Sequence, residues 1–207
     1  MNCYGKYKVT IPEGKSGPWE VEKFEVSDTD VSIFNLRAAF HSGCGHISPG
    51  TYTRLTRNGS IVMSDTPSEI RDHLEFIFLA RGRVLIAGLG LGMVASKVCA
   101  KDEVEHVTVI EKSPDVIALV GPTLLERFGD KLEIIEADIF EWKPGKGVKW
   151  NVAWYDVWDS ICLDNLPQMT RLHRKFGRRV SYIQASWRKG FLEAEKRRKK
   201  RNAGRGW

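Results

Sequence analysis

Apolar positions along this chain of 207 residues follow two rhythms. Up to about residue 65 they alternate with polar ones: Trp19-Glu-Val-Glu-Lys-Phe-Glu-Val26 puts every second side chain on one face, as a half-buried strand requires. Residues 51–55 form a second β-like piece. Asn58-Gly59 then separates 52–55 from 60–63, and this pair predicts a tight hairpin because both residues tolerate positive φ. A short helix is expected over 31–40, followed by a loop over 41–50.

From Thr66 the rhythm changes. Thr66-Pro-Ser-Glu69 reads as a helix start, with Thr66 as cap, Pro67 at the first helical position and Glu69 three residues on. That helix runs to about residue 80. Apolar strand-length runs then alternate with helical patterns: strands at 84–87, 107–111, 132–136, 152–156 and 180–185, and helices at 92–100, 114–128 and 163–175. Such alternation predicts a parallel sheet covered by helices on both faces. The chain divides into a β-rich extension (1–65), a Rossmann-like domain (66–187) and a charged tail (188–207), helix-permissive to residue 201 and fraying beyond it.

A hydrophobic content of 42% suits one well-filled core. No apolar run approaches the roughly 20 residues of a membrane span, and the first residues do not read as a signal peptide, so a cytoplasmic, membrane-free protein is expected. The cysteines are scattered, which favours reduced thiols. The net charge of +6 is uneven: residues 188–207 carry nine Lys/Arg and two Glu, leaving the first 187 near neutral. The basic tail is a candidate for weak nucleic-acid contact, with a solvated face as the plainer reading.

Chemistry concentrates after the strands. Gly88, Gly90 and Gly92 lie between the first parallel strand and its helix, where missing Cβ atoms allow a tight turn and a ligand's approach to backbone N–H groups. Glu111 closes the next strand, nineteen residues after Gly92, where a carboxylate can accept both ribose hydroxyls. Asp138 follows the third strand, placed for an adenine amino group, with Ile139 to pack on the ring. The third glycine of a nicotinamide-binding G-x-G-x-x-G is missing, and no Gly-Lys-Ser/Thr follows as in a phosphate-binding loop.

With these features the chain resembles the class I S-adenosylmethionine-dependent methyltransferases, and among them the spermidine-synthase-like branch, over about residues 52–187. Asn58-Gly-Ser-Ile-Val-Met-Ser-Asp65 and Glu69-Ile-Arg-Asp-His73 resemble that branch's strand turn and its E-M-x-x-H helix segment. The resemblance implies a parallel sheet of order 3-2-1-4-5, here without the usual strands 6 and 7. It also implies S-adenosylmethionine, or decarboxylated S-adenosylmethionine as co-substrate. Asp156 and Asp159 fall on the two acids of the branch's D-x-x-D stretch: Asp156 is the candidate catalytic residue, and Trp158 and Asp159 are candidate acceptor-side contacts. Two departures favour methyl transfer over aminopropyl transfer. Leucines stand beside Gly90 where the branch has an acidic residue, and Pro67-Ser68 replaces its Tyr-Gln pair. A small-molecule acceptor is expected, a homodimer is compatible with the open sheet edge, and a nucleoside-binding protein without transfer chemistry is the reading from another class. His41, Cys44 and His46 lack a convincing fourth ligand, so no metal is assigned, and Cys162 is expected as a small core residue.

Overall fold

The computed structural model of the protein describes residues 4–31 and 47–203. The helix expected over 31–40, Val31 apart, the His41, Cys44 and His46 loop, and Cys3 lie outside the described residues.

Four strands form an antiparallel N-terminal sheet in chain order: β1 (Gly14–Ser16), β2 (Trp19–Val26), β3 (Gly50–Arg57) and β4 (Ser60–Ser64). The β3–β4 hairpin turns at Asn58 (φ 50°) and Gly59 (φ 77°), as the sequence leads one to expect. Helix α1 (Pro67–Leu79) follows. Its start differs from a capping box: Thr66 makes no side-chain cap bond, and Glu69 reaches past it to accept from the Ser64 N–H at 2.6 Å and the Ser64 hydroxyl at 2.9 Å.

Next come β5 (Gly82–Ala87), α2 (Met93–Cys99), β6 (Val104–Glu111), α3 (Pro114–Phe128) and β7 (Leu132–Glu136). Then follow β8 (Trp150–Tyr155), α4 (Asn165–Phe176), β9 (Val180–Ser186) and α5 (Lys189–Ala203). The five strands β5 to β9 are all parallel and lie in the order β7-β6-β5-β8-β9. Counted from β5 this is 3-2-1-4-5, the Rossmann-like arrangement of a reduced class I methyltransferase core, with β9 at the edge among the described residues.

The central strands are apolar on both faces because both are covered. Val84 and Ile86 point into one cluster with Phe76, Val94, Val120 and Trp154, while Leu85 and Ala87 point into another with Tyr155, Leu172 and Phe176. Each large side chain so buried contributes about 1.5–3 kcal/mol. Val21 and Leu55 of the N-terminal sheet belong to the first cluster, so the extension shares the core of the parallel sheet. Helix α5 seats Leu192 on α4 against Leu166 and Met169. One expectation fails: Cys162 is exposed, because the chain beyond Asp156 loops outward before α4; Cys99 is the buried thiol, its pKa pushed up to about 12 by burial. No helix among the described residues is long and apolar enough to cross a membrane.

Candidate functional site

Parallel strands all end on one edge, so the residues just past β5, β6, β7 and β8 converge there. A cleft enclosing about 1090 Å³, part of it open to solvent, runs along this edge. Gly88, Gly90, Glu111, Asp138, Ile139, Asp156, Trp158 and Asp159 all line it. Gly92 does not line the cleft: a Cβ there would stand 2.6 Å from Leu124 Cδ1 and 3.0 Å from Val120 Cγ1, which places it in the packing of α2 on α3.

The other two glycines answer to close neighbours as well. Gly88 (φ 94°) lies against the Asp156 carbonyl oxygen, which a Cβ would overlap, because the Asp156 N–H donates to Ala87 O at 2.9 Å and draws the two strand ends together. Gly90 (φ 51°) faces the Met63 sulfur, 2.6 Å from where a Cβ would sit. That sulfur accepts the Leu91 N–H at 3.4 Å. The glycine turn is thus shaped first by the protein's own packing.

Glu111 is held at both oxygens. Oε2 accepts the Leu89 N–H and Oε1 the Ser113 N–H, each at 2.8 Å, so the carboxylate is fixed in orientation while lone-pair sites remain on both oxygens. Asp138 is exposed; its Oδ1 accepts the Phe140 N–H at 2.8 Å. Ile139 beside it is buried and gives the cleft an apolar wall.

The inner end is acidic and aromatic. Burial, and then repulsion from the Glu69 carboxylate, raises the Asp156 pKa to about 7. Glu69 is itself raised by burial. His73 reaches in from α1, with Nε2 3.9 Å from Asp156 Oδ2 and its ring edge-on to Trp154 at 5.5 Å. Desolvation lowers its pKa to about 4, which keeps the imidazole neutral near pH 7. His73 Nδ1 is buried without a hydrogen-bond partner among the described residues, so this wall has polar demand that the protein leaves unmet.

Two acceptor-side candidates are already engaged. Trp158 donates its indole N–H to Gln168 Oε1 at 2.6 Å and packs beside Leu166 and Met169, so it is both cleft wall and α4 contact. Asp159 is exposed and ion-paired with Arg57 of β3. The cleft also takes walls that sequence reasoning missed: Trp19, Leu55, Arg57 and Met63 from the N-terminal sheet, and Trp187 after β9. Glu69 and His73 were visible as a motif, but their burial beside Asp156 was not.

No protein-family model matches the chain, and none of the curated protein sequences does. Several solved structures overlap it in part. The N-methyltransferase NodS from Bradyrhizobium japonicum WM9 is 14% identical with a TM-score of 0.42, over 53% of this chain and 61% of that one. The CcbJ methyltransferase from Streptomyces caelestis is 17% identical with a TM-score of 0.44, over 56% and 47%. A dimethyladenosine transferase from Plasmodium falciparum is 19% identical with a TM-score of 0.40, over 55% and 38%. The chain thus spans less than two thirds of each. The Rossmann-like fold is read from the chain's own strand order, and fold alone names no substrate.

Proposed function

We propose that the cleft binds S-adenosylmethionine and passes its methyl group to a small-molecule acceptor, with Asp156 taking the acceptor's proton. One observation carries this reading. Two carboxyl groups of opposite character flank the end of β5: Glu111, oriented by two backbone N–H groups, and Asp156, desolvated and poised near neutrality. Because β6 and β8 are the two neighbours of β5, strand spacing sets these ends about 10 Å apart, room for a nucleoside grip and a separate reaction centre.

When bound, the sulfonium supplies an electrophilic methyl carbon and leaves as a neutral thioether. The remaining work belongs to the chain. Glu111 accepts the ribose hydroxyls through its free lone pairs, Asp138 accepts from the adenine amino group through Oδ2, and Ile139 packs on the ring. A carboxyl group near pKa 7 is about half ionised at neutral pH, the condition in which a general base is both available and strong enough. Trp154 and Trp158 present aromatic surface to the cleft, which favours a sulfonium.

Aminopropyl transfer from decarboxylated S-adenosylmethionine is the second reading, and the acidic inner wall of Glu69 and Asp156 favours it. Against it, Asp159, the second acid of the inner end, is held by Arg57. Calorimetry of the full chain with S-adenosylmethionine, its decarboxylated form and S-adenosylhomocysteine separates the cases. Tighter binding of S-adenosylmethionine than of the decarboxylated form is expected. The reverse order selects aminopropyl transfer, binding without turnover across a broad acceptor screen leaves a nucleoside-binding protein, and no binding by the folded chain removes the reading altogether.

A further inference from the structure

The most concentrated charge in the molecule lies away from the cleft. Helix α5 carries seven Lys/Arg and two Glu and buries Leu192 alone; every described residue from Lys196 onward is exposed. Lys196-Arg-Arg-Lys-Lys-Arg201 sets cations around the whole circumference at 100° steps, so like charges fall at i,i+3 and i,i+4, which works against an isolated helix. Lys199 pairs with Glu195 at 3.1 Å, whereas Lys196, Arg197, Arg198, Lys200 and Arg201 have no ion-pair partner among the described residues. The body adds to this charge. A groove between the helices is floored by Leu166 and Pro167 and edged by Lys196 of α5 with the exposed Arg174 of α4; Arg171 beside them is paired with Glu141 at 3.2 Å.

We infer that α5 and the adjoining edge of α4 form a binding face for double-stranded DNA, independent of the cleft's chemistry. A helix with cations on every side offers no apolar face to a lipid surface. It suits a channel with phosphates on both walls. The major groove of B-DNA, about 12 Å wide, admits a helix of about 10–12 Å diameter, whereas the A-form RNA major groove is too narrow. Arg174 then meets the phosphate backbone beside the inserted helix, and recognition is led by charge rather than by base edges.

The test is fluorescence anisotropy of the full chain with a labelled 20-base-pair DNA duplex, the matching RNA duplex, and vesicles containing phosphatidylserine, from 50 to 200 mM salt. DNA is expected to bind most tightly, with log K falling against log[salt] at a slope of about −4 to −5 for five neutralised phosphates. Replacing Lys196, Arg197, Arg198, Lys199, Lys200 and Arg201 together by Gln should weaken binding at least tenfold with an unchanged unfolding midpoint, since none of them is buried. Arg174→Gln should make the slope shallower by about one. RNA or vesicles bound as tightly as DNA, a six-fold variant that binds like the parent, an Arg174→Gln variant with the parent slope, or no DNA binding at all would each overturn the proposal.

Discussion

Asp156→Asn keeps the side chain's shape and removes its ionisation, which makes it a direct probe of the cleft's inner wall. Burial, with Glu69 adding repulsion, raises this carboxyl group from 3.8 to about 7. Between those pH values the folded protein holds the proton more tightly than the unfolded chain, so stability falls as pH rises through the window and levels off above it. Full ionisation in the folded state costs about 4 kcal/mol on this basis. The side chain is 21% exposed, and the water this admits lowers the expectation to about 2–4 kcal/mol. Urea unfolding of both proteins from pH 4.5 to 8.5 measures it. Near pH 4.5 the two should be close, and at pH 8 the Asn variant should be the more stable by that amount, with an unchanged dependence on urea. Transfer by the variant should meanwhile drop by about 10²-fold or more, the usual contribution of a positioned base. Parallel stability curves across the range would refute the desolvation argument. An undiminished rate would remove Asp156 from the chemistry.

Other outcomes follow from neighbouring groups. The His73 ring, buried and lowered to about 4, should stay neutral through pH 5 in an NMR titration; its contribution to stability is present above pH 6.5 and lost as pH falls toward 4. A midpoint near 6.5 would contradict its burial. Gly88→Ala puts a Cβ into the Asp156 carbonyl at φ 94° and should cost at least about 3 kcal/mol in thermal or urea unfolding; a loss under 1 kcal/mol would show that the strand ends are not so close. Glu111→Gln turns an amide NH₂ toward one of two backbone N–H donors, so nucleoside affinity should fall about tenfold or more by calorimetry. Unchanged affinity in the folded variant would take Glu111 out of the ribose site.

Much of this was legible in the chain. Strands buried on both faces read as continuous apolar runs, and helix α3 and strand β7 occur at the expected residues. β6 begins earlier than its apolar run, at Val104, because polar Glu105 and His106 interrupt the pattern and the pairing with β5 shifts register there, from Gly82–Val104 to Arg83–His106. Glu111, Asp138 and Asp156 could be found because in a parallel sheet the end of each strand is also a place in sequence. Trp19, Arg57 and Met63 could not, since they arrive from another sheet through tertiary packing that no local spacing encodes. The glycines teach a related point: a missing Cβ says that something comes close, but not whether it is a ligand, a carbonyl group or a methionine sulfur.

The shared cluster of Val21, Leu55, Val84 and Ile86 bears on any attempt to trim the molecule. A shortened chain starting at Thr66 would keep every parallel strand and still be bared on one flank, with greasy side chains turned to water and one bank of the cleft gone. The first 65 residues are therefore masonry rather than ornament: whatever the parallel-sheet half does, it does with that wall standing.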